Sequence, residues 1–345
     1  MGTEQRIRPA SNPQVKTMDA VVQDVYGEAG DVLRFDQIPV PSPAGGEVLV
    51  RVHAAGVDRG AWHLMAGLPY PVRLAGYGIR RPKTGVRGRE FAGRIEALGE
   101  GVTGFAVGDA VYGIGEGCFA EYARASAAKI APKPKNLTFE QAAAVPISGM
   151  TALQGLRDSG QVKRAQQVLI IGASGGVGTF AVQIAKALGA EVTGVCGTAK
   201  TDLVRSIGAD HVIDYTRDDI TGRRYDFVLD IGGHRSLTHL RRALGRRGTL
   251  VIVGSETGGR WLGGFDRSLR APLLSMFVEQ NLRALMNSEN SADLHALTEL
   301  VETGAVVPVI DRTYPLHETA AAIQRMQDGR VKGKLVISVR SENTA

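Results

Sequence analysis

The chain has 345 residues, more than one hydrophobic core usually holds, so its length predicts about two domains. Lys and Arg number 41 against 35 Asp and Glu, which gives a formal net charge of +6. The basic residues are scattered and no nucleic-acid motif accompanies them, so RNA or DNA is a lesser alternative to an anionic small molecule or an arginine-rich surface.

Residues 1–17 form a polar stretch with two prolines and no apolar segment. We expect a flexible tail here and not a signal peptide. Nothing in the chain approaches the ~20 apolar residues that a membrane-spanning helix needs. Two cysteines, Cys118 and Cys196, are too few for a disulfide framework. These features predict a cytoplasmic protein with reduced thiols and no membrane partner.

From the tail to about residue 145, short β-like runs alternate with Gly and Pro, as in Glu47–Val52 and Phe91–Ala97. A basic, glycine-containing segment, Leu68–Arg89, interrupts them. We expect this segment to be a mobile loop at the mouth of a cleft, where its charge would favour an acidic or acyl-thioester substrate. A solvated surface loop is the preferred alternative.

The most informative stretch follows. Val168–Ile171 is an apolar run that predicts a buried parallel strand. The glycine-rich turn Gly172–Gly178 leads into a helix predicted over Phe180–Leu188, which Gly189 ends.

This strand, turn and helix predict an anion site, because backbone amides and the positive end of the helix dipole meet at the turn. In the dinucleotide-binding register Ala173 replaces the first glycine, while the other two are present. We therefore expect a nucleotide pyrophosphate here, with an empty Rossmann turn as the alternative. The residues expected to bind it are Ser174, Gly175, Gly176, Val177 and Gly178.

Glu191–Cys196 predicts the second strand of the nucleotide unit, whose end distinguishes NAD from NADP. An NAD site usually has an acidic residue there, but none occurs up to Lys200. Thr198 can donate a hydrogen bond to phosphate, and Lys200 supplies charge near a 2′-phosphate. Tyr215 would lie against the adenosine. These features favour NADPH, bound by Gly197, Thr198, Lys200 and Tyr215; for Lys200, a solvated helix-start lysine is the alternative.

Strands and helices continue to alternate after this unit. Strands are predicted at His211–Asp214, Tyr225–Asp230 and Gly248–Val253, and a helix at Ala292–Thr303 precedes the last strands. This alternation is typical of a parallel α/β sheet.

Several short motifs follow one another along the chain in the order that is typical of one enzyme family. They are Gly117–Tyr122, Phe139–Pro146, Gly149–Leu153, Gly172–Gly178, Gly208–Tyr215, Gly304–Asp311 and Lys332–Ile337. With them the chain resembles the medium-chain dehydrogenase/reductase superfamily over about residues 18–340, and within it the zinc-independent quinone oxidoreductase and enone reductase branch. The resemblance implies an α/β fold, with a Rossmann-type doubly wound parallel sheet plus a GroES-like β-barrel catalytic domain. The expected catalytic domain comprises residues 18–146 and 288–345, and the Rossmann domain residues 147–287.

The resemblance also implies where a zinc ion would lie. Zinc-dependent members ligate the metal at positions that match Asp58, Arg89 and approximately Ile147 here. A guanidinium and an aliphatic side chain cannot ligate zinc. His53 and His63 have no further zinc-ligating residues at ligand spacing. We therefore expect no metal.

Without a Lewis acid, reduction of an activated double bond is more feasible than oxidation of an alcohol. Negative charge would develop on the acceptor's carbonyl oxygen, where a hydrogen-bond donor would stabilise it. In the resembling enzymes a polar residue at the place of Asp58 and a tyrosine near Tyr70 line the substrate cleft. These two are our catalytic candidates. The alternatives are a capping role for Asp58, which we prefer, and a half-buried loop aromatic for Tyr70.

Further cofactor contacts follow from the resemblance. It places the Thr151 hydroxyl near the nicotinamide-side phosphate, and Gly254 and Ser255 beside the nicotinamide ribose. Phe277 would border the nicotinamide or lie in the core. Lys332 belongs to a segment that returns toward the cofactor, with a solvated turn lysine as its alternative.

The sequence thus predicts an NADPH-dependent, zinc-independent oxidoreductase that reduces a small quinone or an α,β-unsaturated carbonyl. The resemblance implies a homodimer formed at the edge of the Rossmann sheet, near Leu269–Leu282. The alternative is a non-catalytic NADPH-binding scaffold or an RNA-binding relative.

Overall fold

The computed structural model describes residues 16–254 and 259–340. The strands in these ranges are β1 (Thr17–Val22), β2 (Arg34–Pro39), β3 (Glu47–Val57), β4 (Glu90–Leu98), β5 (Ala110–Ile114), β6 (Tyr122–Ser126), β7 (Ile130–Pro132), β8 (Gln167–Ile171), β9 (Glu191–Cys196), β10 (His211–Asp214), β11 (Tyr225–Asp230), β12 (Leu244–Ile252), β13 (Asn281–Ala284), β14 (Ile310–Pro315) and β15 (Lys334–Ser338).

The α-helices in the same ranges are α1 (Ala29–Val32), α2 (Arg59–Ala66), α3 (Phe139–Ala143), α4 (Pro146–Leu153), α5 (Gly176–Ala187), α6 (Thr201–Ser206), α7 (Leu237–Ala243), α8 (Gly259–Leu262), α9 (Phe265–Ser275), α10 (Ser291–Glu302) and α11 (Thr319–Gln327). Short 3₁₀ or π turns lie at Arg73–Tyr77, Ala127–Lys129, Gln154–Ser159, Thr198–Lys200, Ile220–Gly222 and Leu316–Glu318. Each α-helix among the described residues is too short or too polar to cross a bilayer.

One sheet of the described chain is fully parallel, in the order β10-β9-β8-β11-β12-β13. This is the doubly wound order of a dinucleotide-binding fold, and its switch point lies between β8 and β11. Strands β9, β10 and β11 have the predicted bounds, whereas β12 begins four residues before the predicted Gly248. The predicted Rossmann-type sheet is therefore confirmed.

The second sheet follows the order β14-β15-β3-β4-β5-β7, with β6 also paired to β3. Its strands are antiparallel neighbours except for the parallel pair β14–β15. Strands from both halves of the chain thus build this β-barrel domain, and the parallel sheet lies between them in sequence. The predicted combination of a GroES-like barrel and a parallel α/β sheet is correct.

One apolar core joins the two sheets. It runs from Ala54 and Tyr112 of the barrel to Val168 and Phe180 beside the parallel sheet. The Tyr112 hydroxyl donates to the Leu294 carbonyl oxygen over 2.6 Å and so anchors α10 to the barrel. The expected domain boundaries at 146/147 and 287/288 stay a prediction. The predicted tail overlaps β1 at Thr17, and its residues 1–15 lie outside the described ranges.

Two positions of the turn require glycine, each for a different structural reason. Gly172 has φ +87°, a left-handed conformation that L-residues rarely adopt. A Cβ at Gly178 would lie 2.1 Å from the Gly172 carbonyl oxygen. Only glycine lets α5 start this close to the end of β8, which is where the functional site forms.

Candidate functional site

A cavity of about 480 Å³ lies at the switch point of the parallel sheet. Its walls come from the glycine turn, the end of β11, the starts of α2 and α4, and the chain between α11 and β15. Of the predicted site residues, it brings together Asp58, Thr151, Ser174, Gly175, Gly176, Val177, Lys200 and Gly254. Ligands of open α/β sheets bind at this position. We refer to it as the cofactor cavity.

The glycine turn presents a helix N-terminus to this cavity. Gly175 precedes α5 and its cap has no side-chain hydrogen bond, so the first-turn amides are not satisfied by a capping side chain. The Gly333 amide donates to the Ser174 carbonyl oxygen over 2.8 Å, which joins the start of β15 to the turn. An uncapped helix terminus in a cavity of this kind fits a pyrophosphate.

Four residues predicted at the adenosine end lie close together after β9. The exposed Tyr215 lies over this turn, because a Cβ added to Gly197 would be only 3.2 Å from the Tyr215 hydroxyl oxygen. Thr198 donates to Asp214 over 2.6 Å, and this bond with others from Thr216 holds the pKa of Asp214 below its ordinary value. Asp214, at the end of β10, was not predicted as a site residue, although it lies within the motif Gly208–Tyr215.

Lys200 has two hydrogen-bond acceptors in the barrel. Its ammonium donates to the carbonyl oxygens of Gly329 and Val331, over 2.8 and 2.9 Å. Burial lowers the pKa of Lys200, and the nearby Lys332 ammonium lowers it further, against the opposite effect of Asp311. Lys332 is exposed and does not line the cofactor cavity. The solvated turn reading of Lys332 therefore has support, although its charge lies close to Lys200.

The buried lysine of this segment is Lys334, which sequence reasoning missed. It is 2% exposed, lines the cofactor cavity and forms an ion pair with Glu90, which is 0% exposed. The other Glu90 oxygen accepts the Ile147 amide over 2.9 Å. Burial raises the pKa of Glu90 despite the lysine beside it. Strand alternation could not have identified Lys334, because residues two apart share a face and β15 begins only at Lys334, where its first four residues are all buried.

The predicted nicotinamide-side residues have mixed positions. Thr151 lines the cavity, but its hydroxyl donates to the Ile147 carbonyl oxygen over 2.6 Å and accepts from Asn287 over 2.9 Å. Gly254 lines the cavity as well, whereas Ser255 lies outside the described residues. Phe277 is 81% exposed, so the expectation of a core aromatic there is wrong.

Asp58 caps α2, as the preferred alternative supposed. Its Oδ1 accepts the Ala61 amide over 3.0 Å, and Gly67 ends the helix with φ 62°. The buried Oδ2 has no hydrogen bond within the part of the chain that the structure describes. Asp58 thus has one oxygen available to a ligand of the cofactor cavity, and its catalytic role stays a prediction.

Tyr70 does not line the cofactor cavity. Its ring packs edge-on against Trp261 at 5.1 Å, and its amide donates to the Arg260 carbonyl oxygen over 2.9 Å. Arg73 lies over the Tyr70 ring, 5.0 Å from its centroid. The half-buried Tyr70 therefore joins a barrel loop to α8, and its proposed role as a donor to the substrate stays a prediction.

The positions matching zinc ligands carry a different set of interactions. The Arg89 guanidinium is paired with Glu289, and the amide of Ile147 is bonded to Glu90. Within residues 16–254 and 259–340, no three His, Cys, Asp or Glu residues cluster as metal ligands would. Cys118 and Cys196 are buried free thiols.

A second cavity of about 580 Å³ lies on the barrel side. Consecutive residues at the start of α2 line the two cavities, Gly60 the cofactor cavity and Ala61 this one. Arg89 and Glu289 contribute to its wall. We refer to it as the barrel cavity.

Comparisons with known proteins agree with this geometry. Residues 44–135 match the alcohol dehydrogenase GroES-like domain family, and residues 207–337 match the zinc-binding dehydrogenase family. A mouse protein named NAD(P)H oxidoreductase RTN4IP1, mitochondrial, is 32% identical over an alignment 357 positions long. The alignment covers 93% of this chain and 89% of that protein.

Solved structures extend the likeness to three dimensions. The quinone oxidoreductase from Coxiella burnetii has a TM-score of 0.83 at 29% identity, covering 94% of this chain and 100% of that chain. Mycobacterial Rv1454c, solved in complex with NADPH, has a TM-score of 0.79 at 27% identity, covering 93% and 100%. The chain therefore belongs to the zinc-independent quinone oxidoreductase branch of the medium-chain dehydrogenase/reductase superfamily and is an NAD(P)H-dependent oxidoreductase.

Proposed function

We propose that the protein uses NADPH to reduce quinones or α,β-unsaturated carbonyls without zinc. The observation that supports this most is which residues line the two cavities at the positions that match zinc ligands. A nucleotide cavity lies beside a guanidinium, Arg89, and an aliphatic side chain, Ile147, where a zinc enzyme needs ligands. Neither group can bind zinc, so a hydride acceptor that is already activated by conjugation suits this site.

Bound NADPH would supply the hydride, and the chain's own residues would bind and orient it. The first-turn amides of α5 would hold the pyrophosphate, while Val177 and Ile231 give the cavity apolar surface. Asp58 Oδ2 is suited to accept a hydrogen bond from a hydroxyl of the cofactor. An ionised carboxylate has no proton to donate to a developing oxyanion, so Asp58 serves binding better than oxyanion stabilisation.

Tyr70 remains the candidate donor to the carbonyl oxygen. A phenol hydroxyl is a hydrogen-bond donor, and movement of the loop that carries Tyr70 toward the cavity would bring it to the substrate. The Tyr70→Phe variant separates a donor from a packing residue, because it keeps the ring that contacts Trp261. We expect kcat/KM for both acceptor classes to fall with Tm unchanged; an unchanged kcat/KM would end the proposed role.

The preference for NADPH rests on the charge around Lys200. Lys200 and Lys332 are close enough to affect each other, and a 2′-phosphate would reduce that repulsion. We expect Lys200→Ala to raise the KM for NADPH by about tenfold, the size of one charge-assisted contact, and to leave the KM for NADH nearly unchanged. Equal effects on both cofactors would instead indicate that Lys200 only fixes the Gly329–Val331 segment.

The reaction itself is tested by following NADPH and NADH oxidation with a panel of quinones and enones, in the presence of EDTA and again with added zinc. We expect turnover with NADPH that neither addition changes. If NADPH binds but no acceptor is reduced, the alternative of a non-catalytic scaffold or RNA-binding relative is favoured. Zinc-dependent turnover would contradict the proposal.

We further propose a homodimer in the cytoplasm. Leu269, Leu273, Met276 and Phe277 are 60–81% exposed along and after α9, next to the edge strand β13. This apolar surface supports pairing of two sheet edges. Light scattering tests the assembly, and fluorescent tagging in the source cell tests the compartment, since the mouse relative is described as mitochondrial.

A further inference from the structure

The barrel cavity has an excess of positive charge. Its wall contains five cationic side chains, Lys83, Arg87, Arg89, Arg124 and Lys129, and three carboxylates, Glu47, Glu116 and Glu289. Small and aliphatic residues such as Ala61, Leu64 and Ile114 complete it. A cavity of about 580 Å³ with this lining can hold a compact organic molecule.

Each of the three carboxylates is already paired. Arg124 lies 3.6 Å from Glu47 and 3.1 Å from Glu116. Lys129 lies 2.8 Å from Glu289, which also pairs with Arg89. Burial alone would raise the pKa of Glu289, but Lys129 and Arg89 outweigh it and hold that pKa below its ordinary value. Within the described residues this leaves the charges of Arg87 and Lys83 without a carboxylate.

Arg87 is the unusual member of this pair. It is only 4% exposed, yet no carboxylate in the described ranges lies within ion-pair distance of it. Burial lowers the pKa of its guanidinium, and arginine nevertheless remains charged. A buried charge without an oppositely charged partner is costly, and an anionic ligand would reduce that cost here.

The surrounding residues hold Arg87 in one orientation. Its Nε donates to Gln23 Oε1 over 2.8 Å and one Nη2 hydrogen goes to the Thr84 carbonyl oxygen over 2.9 Å. Gln23 is itself buried and fixed by the carbonyl oxygens of Val25 and Met65, both over 2.6 Å. The Nη1 group of Arg87 makes no hydrogen bond to any residue that the structure describes. The guanidinium is thus positioned in advance, with donors remaining for an anion.

We propose that the barrel cavity binds a hydride acceptor that carries a carboxylate, and that Arg87 recognises this carboxylate. The inference rests on the proposed reduction, whose substrate class it narrows. One uncompensated buried guanidinium matches one carboxylate charge. Consecutive residues of α2, Gly60 and Ala61, line the two cavities, and the proposal requires that the conjugated end of an acceptor held by Arg87 reach past this point toward the cofactor cavity.

The binding test does not depend on turnover. Calorimetry would compare 4-oxopentanoate, a saturated keto acid, with its methyl ester, on the wild type and on the Arg87→Gln, Arg87→Lys and Arg312→Gln variants. We expect the wild type to prefer the acid. Arg87→Gln should weaken acid binding about 10- to 100-fold, as for a lost hydrogen bond to a charged group, and leave the ester within about twofold. Arg312→Gln, which removes an exposed arginine that lines neither cavity, is the matched control and should keep the preference.

The same comparison in turnover would use 4-oxopent-2-enoate and its methyl ester with NADPH. Equal use of acid and ester by the wild type, or an acid preference that survives Arg87→Gln, would overturn the inference while the proposed reduction stands. Arg87-dependent binding of the acid without any reduction would retain the carboxylate site and reject the proposed reaction. If Arg87→Gln does not fold, the acid-over-ester ratio of the wild type and of Arg87→Lys decides.

Discussion

The cofactor cavity and the barrel cavity are both lined by residues at the start of α2, but the groups expected to bind a ligand differ between them. In the first, the wall expected to hold phosphate is backbone from one short stretch of chain, the turn between β8 and α5. In the second, the polar part of the wall is a set of charged side chains that come from as far apart as Glu47 and Glu289. The chain thus uses fixed amides where a phosphate is expected and paired charges where the acceptor is expected.

Because of this difference, we expect substitutions to affect the two sites differently. A backbone site tolerates changes of side chain unless the new atoms enter the space of the ligand. A site of buried charges depends on each partner, because loss of one leaves the other without compensation. The contrast can be tested first at the buried pair Glu90–Lys334, whose lysine lines the cofactor cavity.

The largest effect is expected from separating that pair. Glu90→Gln and Lys334→Met should each lower the free energy of unfolding by about 3–5 kcal/mol, the usual cost of leaving one buried charge unpaired. The double variant should recover part of this loss, because both charges are then gone. Urea unfolding followed by circular dichroism measures all three. If each single variant has a free energy of unfolding within about 1 kcal/mol of the wild type, the two charges do not depend on each other for stability, and the prediction is wrong.

A smaller effect, confined to the ligand, is expected at Gly175. A Cβ there would meet only the Gly172 carbonyl oxygen at 3.5 Å, an ordinary contact, and its backbone angles suit other residues. Gly175→Val should therefore fold normally but weaken NADPH binding about 10- to 100-fold by blocking the approach of the pyrophosphate. Gly178→Ala is the contrasting variant, because its Cβ would clash with backbone and should lower Tm. Undiminished NADPH affinity in Gly175→Val would place the pyrophosphate elsewhere.

The smallest effect concerns the barrel cavity and pH. Lys129 and Arg89 hold the pKa of Glu289 below 4.5, so its ionised form stabilises the folded state above that pH. Glu289→Gln should cost about 1 kcal/mol near neutral pH, since the carboxylate is partly exposed. The difference from wild type should shrink as pH falls through the folded pKa. Glu116→Gln, at the exposed rim, serves as the control, and a difference that persists at pH 3 would contradict the assignment.

The same contrast explains what the sequence could predict. The parallel strands and the glycine turn are local patterns, so the bounds of β9, β10 and β11 were predicted correctly, while the anion site at the turn stays a prediction. The pairing of Arg89 with Glu289 joins residues 200 positions apart, and no local pattern indicates it. The motif Lys332–Ile337 contains two lysines, Lys332 and Lys334. Only the packing of β15 shows that the second of them is the buried one.

Tyr70 and Asp58 show the same limit at individual residues. The capping role of Asp58 is local, because its carboxylate accepts the amide of Ala61, three residues later in the first turn of α2, and it could be anticipated from residue type and position. The contact of Tyr70 with Trp261 joins a barrel loop to α8, and it depends on how the two domains pack. Sequence therefore identified both residues, but only the fold shows what they contact.

The central claim is that hydride passes from NADPH in the cofactor cavity to a conjugated acceptor. The most direct measurement uses NADPH deuterated at C4 of the nicotinamide, as each stereoisomer in turn, with an enone acceptor and analysis of the product by mass spectrometry and NMR. We predict deuterium on the β-carbon from one stereoisomer only, with the α-hydrogen coming from solvent. Product without deuterium from either stereoisomer, or no product from a protein that binds NADPH, would contradict the account.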